Sequence, residues 1–202
     1  MQSYTTREEW LQASLVLLFE MIFANAGIYP AAWQSRRYRV TCGFPIGYRG
    51  SKTGKVTLGQ AFDASVSADG TMEVCINPII DDPVEVLRVL LHEFIHVWCG
   101  IECGHRGEFA RIARAVGFTG PMTQTPASPA LLAALTEIAE LVGPYPHAKI
   151  DPSLRKKQGT RMLKLQCNDC GFTARVSAKW QSKITPESTC PACHFAGTLV
   201  AD

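Results

Sequence analysis

The sequence predicts an α+β fold followed by a separate small β unit at its C-terminal end. Three observations carry that reading. Apolar residues recur at helical spacing near the start and again between residues 82 and 142. Short β-like runs lie between 38 and 76, and two Cys-x2-Cys pairs stand beyond residue 161. The chain has 202 residues, 47% of them hydrophobic and 19% charged, which excludes a disordered polyelectrolyte. The length suits one domain with a small satellite, and the division expected is 1–146, a basic linker over 147–160, and 161–202.

Thr6-Arg7-Glu8-Glu9 has the form of a capping box. Trp10, Ala13, Leu17, Met21 and Ala24 follow at helical spacing, and Gly27 stands where a helix would stop. The apolar stretch Leu15–Phe23 is broken by Glu20 and preceded by Glu8 and Glu9, so it reads as a buried helix rather than a targeting signal. It is too short to span a bilayer, so no membrane partner is expected. Residues 38–42, 56–66 and 71–76 read as strands, with Ser67-Ala68-Asp69-Gly70 as a hairpin turn. A three-stranded antiparallel sheet is the simplest arrangement. The loop Gly50–Lys55 glances at a phosphate loop but lacks the earlier glycine, and Val56 follows Lys55.

Asp82-Pro83-Val84-Glu85 opens a helix that should run to Cys99 and end at Gly100. The next helix should open near Gly104 and close at Gly117, with Phe109, Ile112, Ala113 and Val116 on one face. A last one should run from Pro129 to Val142, capped by Ser128 and ended by Gly143.

His92-Glu93-Phe94-Ile95-His96 lies inside the Asp82–Cys99 helix. Spacing of i, i+4 stacks both imidazoles on one helical face, where they can share a metal ion. Glu93 is offset by about 100°, close enough to hold a water without displacing it as a ligand. This is the arrangement of zinc peptidases. Such sites take three protein ligands, and His105 at the mouth of the next helix is the candidate third; Glu108, Cys99 and Cys103 compete with it. A nucleobase deaminase is excluded, because it would need His-x-Glu and Pro-Cys-x-x-Cys.

These residues, with Gly104-His105-Arg106-Gly107-Glu108-Phe109, resemble the SprT-like family, which includes Spartan-type proteases. The strand before the helix and Ile76-Asn77-Pro78 are similar to that family's approach to its zinc helix. Arg106 stands where the family usually has glycine. The resemblance covers roughly residues 5–117 and the C-terminal ribbon. It implies a zincin-like metalloprotease domain associated with DNA, acting in some members on DNA-bound proteins. His92, His96 and His105 would bind a catalytic zinc, and Glu93 would be the catalytic base. Substrate is expected along an edge strand at Thr71–Ile76. Tyr29, Tyr38, Tyr48 and Arg106 are all open as oxyanion donors.

Cys167-x2-Cys170 and Cys190-x2-Cys193, with nineteen residues between them, have the spacing of a four-cysteine zinc ribbon. A redox dithiol pair or disulfides are the competing readings. Strands are expected at Met162–Gln166, Phe172–Trp180 and Thr198–Val200, with zinc supplying the folding free energy. The cofactors expected are thus one catalytic and one structural zinc. His194 follows Cys193, but four cysteines already complete a tetrahedron.

Charge divides along the chain. Residues 151–202 carry eight basic and four acidic side chains, a net of +4, while residues 1–150 carry twelve and fourteen, a net of −2. A basic tail suggests a polyanion partner, nucleic acid first. Arg175, Lys179 and Lys183, with Trp180 and Phe172, mix cations and aromatics as DNA-binding surfaces do. The location expected is cytoplasmic, at the nucleoid or in the nucleus. The rival reading is a DNA- or transcription-associated binding protein that uses the scaffold without turnover.

Overall fold

A computed structural model describes residues 3–29, 37–46, 56–154 and 162–201. The loop 47–55 with Tyr48, and the tail cations Arg155, Lys156, Lys157 and Arg161, lie outside the described residues. The chain forms two compact units, Met1–Ser153 and Leu154–Asp202. Residues 147–150, assigned by sequence to the linker, belong to the first unit. His147 Nε2 lies 2.9 Å from the Pro78 carbonyl, and the Ile150 amide donates to that same carbonyl at 2.8 Å. The first unit is α+β.

Helix α1 (Arg7–Leu18) begins with the expected capping box. Thr6 Oγ1 accepts from the Glu9 amide at 3.2 Å, and the Glu9 carboxylate accepts from the Thr6 amide at 3.0 Å. The helix widens into a π turn over Phe19–Phe23. Its buried face runs through Trp10, Leu11, Leu15, Leu18 and Ile22, so Ala13, Leu17 and Met21 flank the core instead of centring it. The offset precedes the π turn: Leu11, Leu15, Leu18 and Ile22 also recur at helical spacing, and that stripe is the one turned to the core. Trp10 Nε1 donates to the Gly143 carbonyl at 2.9 Å.

The sheet comprises β1 (Tyr38–Cys42), β2 (Gly59–Phe62) and β3 (Met72–Ile76), in the order β1-β3-β2. Strands β2 and β3 pair antiparallel, but the strand expected over 56–66 covers only Gly59–Phe62. Ala64–Val66 form a 3-10 turn ahead of the expected turn at 67–70, and β1 runs parallel to β3. Two sequence expectations are corrected here. The sheet is mixed, and Met72–Ile76 is its centre rather than an edge. A hairpin turn fixes only the strands it joins; β1 reaches the sheet through a long connection, and parallel pairing needs one. Met72, Val74 and Ile76 all face the core.

Helix α2 (Pro83–Cys99) is capped by Asp82, whose Oδ1 accepts from the Glu85 amide at 2.8 Å, and ends at Gly100. Every residue from Val89 to Val97 is buried. That helix is the centre of the unit, contacting α1, β2 and β3 as well as α3 (Gly107–Ala115) and α4 (Pro129–Val142). Helix α3 starts three residues later than expected. Ile101–Cys103 form a 3-10 turn and Gly104 takes φ 51°, ψ −130°, a conformation closed to L side chains. Among the described residues no helix is long and apolar enough to cross a membrane.

In the second unit β4 (Met162–Cys167) pairs antiparallel with both β5 (Thr173–Ser177) and β6 (Leu199–Ala201). The strand expected through Trp180 stops at Ser177, and Ala178–Gln181 form a single helical turn, α5.

Candidate metal centres

Helix α2 presents His92 and His96 on one face, and the Gly104 turn swings His105 over them. The Nε2 atom of His105 lies 3.1 Å from His92 Nε2 and 3.4 Å from His96 Nε2. Ligands bound tetrahedrally at zinc–nitrogen lengths stand about 3.4 Å apart, so both spacings from His105 suit one ion, and all three donor atoms lie within 4.8 Å of one another. The competing ligands are turned elsewhere. Glu108 is paired with Arg111 at 2.6 Å, and Cys103 Sγ donates to the Cys99 carbonyl at 3.1 Å.

Phe109 holds the backs of the three rings. Its ring lies 4.3 Å from that of His96, nearly parallel, and 5.0 Å from those of His92 and His105. Burial keeps the imidazoles neutral, helped by their mutual repulsion. It lowers His92 to about 3 and His96 to about 4, and moves His105 down as well. Neutral imidazole is the form that binds metal. Burial pushes Glu93 up to about 8, against the pull of the Ala61 amide that its carboxylate accepts.

These groups floor a cleft of about 630 Å³ between β2 and the 123–125 segment. Strand β2 is a sheet edge. The Leu58 carbonyl accepts from the Asn77 amide beside β3, and antiparallel alternation turns Gly59 and Ala61 outward, where Ala61 meets Glu93. Gly59 permits this closeness. A Cβ there would stand 2.6 Å from Val89 Cγ1 and 2.7 Å from Glu93 Oε1. Gly59→Ala is therefore expected to lower stability by about 1–3 kcal/mol, read from urea melts, and to displace Glu93 or β2. Sequence reasoning passed over Gly59, although an isolated glycine in a strand signals a close approach of this kind.

Of the residues left open as oxyanion donors, Tyr38 packs edge-on against Phe94 and Tyr29 points to solvent at 75% exposure. Among the described residues none of Tyr29, Tyr38 or Arg106 lines the cleft. Two residues that do line it were not legible. Thr125 Oγ1 lies 2.9 Å from His92 Nδ1, and Arg88 Nη1 donates to the Gln124 and Thr125 carbonyls at 3.0 and 3.1 Å.

The second unit gathers its four cysteines. Cys167 Sγ is 3.7 Å from Cys193 Sγ, and Cys170 Sγ is 3.7 Å from Cys190 Sγ. Sulfurs around a tetrahedral zinc stand about 3.8 Å apart, whereas a disulfide needs about 2.05 Å. Both clusters can hold a metal ion and are compatible with zinc. The two knuckles repeat each other. Gly171 and His194 donate to the carbonyls of Cys167 and Cys190 at 3.0 and 2.9 Å, and each has positive φ, 75° and 62°. The position that glycine fills in the first knuckle is thus a histidine in the second. The Cys170 amide and the Thr198 hydroxyl draw the Cys167 thiol down to about 6.

The four residues expected to meet nucleic acid are exposed. Arg175 sits on β5 opposite Lys164, Lys179 and Trp180 lie on α5, and Lys183 follows it. Among the described residues the contact linking any of them is Lys179 Nζ over the Trp180 ring at 5.8 Å.

No family model, curated protein or solved structure matches the chain.

Proposed function

We propose that the chain is a zinc-dependent endopeptidase of the SprT-like type, with a zincin-like catalytic domain, cutting proteins associated with DNA. One observation carries the reading. Three neutral imidazoles converge on a common point beside a buried carboxylate, on the floor of a cleft walled by a strand edge. His92, His96 and His105 would hold the catalytic zinc, and Cys167, Cys170, Cys190 and Cys193 the structural one. Bound zinc supplies Lewis acidity to a water and to the scissile carbonyl. An extended peptide adds to β2, using the outward backbone of Gly59 and Ala61, and not to the central strand β3. Glu93 takes the attacking water's proton on its carboxylate and delivers it to the departing amine nitrogen. Burial that raises its basicity suits it to that transfer near neutral pH.

We propose that Arg175, Lys179, Trp180 and Lys183 contact DNA, in a cytoplasmic protein working at the nucleoid or in a nuclear one. Replacing the three cations with alanine should reduce the salt slope of DNA binding by about 0.9 for each phosphate left without its cation. An unchanged slope moves the DNA-binding surface elsewhere. The activity is tested by native mass spectrometry, where two zincs per chain are expected, and by incubation with a DNA-bound protein substrate. A chain that carries both zincs, binds DNA and leaves every such substrate intact is a binding protein on the same scaffold.

A further inference from the structure

Thr125 combines three properties that packing alone does not require together. It is 1% exposed, its φ is 43°, and its hydroxyl meets a ring nitrogen of His92. A β-branched residue in the left-handed region is strained, and glycine or asparagine would occupy the turn at lower cost. The turn itself is built rigidly. The Thr125 amide donates to the Pro121 carbonyl at 2.9 Å, and the Thr119 amide to that of Pro126 at 2.8 Å. Arg88 grips two carbonyls of the turn and is itself held by both Glu85 oxygens at 2.6 and 2.7 Å. Helix α2 therefore carries both His92 and, one turn earlier, the arginine that fixes the partner of His92.

The imidazoles are not supported alike. His92 Nε2 faces the other two rings, so as a ligand it offers its lone pair there and carries its proton on Nδ1. The hydroxyl at 2.9 Å accepts that proton. The Nδ1 of His96 is buried without a partner among the described residues. We infer that Thr125 is a positioning residue for the three-histidine site, holding His92 in the metal-binding tautomer through a turn clamped by the Arg88–Glu85 pair. The inference rests on the metal reading of that site.

The test uses the full chain with Thr125→Val and Thr125→Ser. Valine keeps the β-branch, the volume and the backbone preference and removes only the oxygen; serine restores it. Zinc affinity is measured by chelator competition, with the four-cysteine site as an internal reference. Valine should weaken the three-histidine site by about 10–100-fold while serine stays near wild type, the reference site being unchanged in both. In 15N-histidine spectra the His92 Nδ1–H tautomer should be fixed in wild type and serine and mixed in valine. Should valine impair folding, Arg88→Met loosens the turn without touching a ligand, and the same loss of affinity and tautomer is expected. Wild-type affinity and tautomer in the valine or methionine chain overturn the assignment of Thr125. A wild-type chain that binds zinc at the cysteines alone overturns the metal reading itself.

Discussion

Glu93→Gln is expected to leave both zincs in place and to lower peptide hydrolysis by about 10²–10⁴-fold. Glutamine matches glutamate in shape, and its side-chain oxygen can still accept the Ala61 amide. What it lacks is a site to take a proton and give it back. Equal cleavage by wild type and variant would end the peptidase reading. The substitution should also act on stability once metal has been chelated. Glu93 is raised from 4.5 to about 8 in the fold. Between those pH values the folded chain holds a proton that the unfolded chain has released, so stability falls as pH rises through the window. Glutamine removes that slope. In urea melts the metal-free variant should gain on metal-free wild type from pH 5 to pH 8. Parallel curves would show that the carboxyl is not buried as described.

Chelation, or Cys190→Ser, is expected to unfold residues 162–201 while residues 3–154 keep a cooperative melt. Among the described residues the buried apolar set of the ribbon amounts to Leu165, Cys167 and Cys190, and two of those three belong to the cluster that can hold a metal ion. The first unit instead encloses Trp10, Phe23, Phe94, Phe109 and the leucines of α2. Structural zinc contributes about 10–16 kcal/mol in comparable small units, far more than a ribbon core of this size can supply. Amide spectra give the readout. Ribbon resonances should collapse to unfolded positions on adding chelator, with the first unit's dispersion unchanged. Persisting ribbon dispersion would mean that the strands hold without metal.

What the sequence disclosed and what it concealed divide by distance along the chain. The capping box at Thr6, the Asp82 and Ser128 caps and the Gly100 stop are interactions within four residues, and each was legible. So were the histidine pair on α2 and the two cysteine knuckles, whose spacing is their geometry. His105 needed only a short loop. The parallel placement of β1, and with it the identity of the edge strand, depends on pairings 34 residues apart, such as Val40 with Val74. Thr125 stands 33 residues from the ring it contacts, in a stretch with no pattern of its own. The core face of α1 was ambiguous, because Leu11, Leu15, Leu18 and Ile22 recur at helical spacing beside the stripe through Ala13 and Leu17.

The bond from Trp10 to Gly143 joins groups 133 residues apart. A ribosome adding about 5–20 residues per second needs roughly 7–27 s to make that interval. Through that time α1 has β1 and α2 to pack against but lacks α4, the third element that covers it. The His147 and Ile150 contacts with Pro78 come later still. The contacts that close the first unit therefore require residues up to 150 and are the last that a growing chain can make.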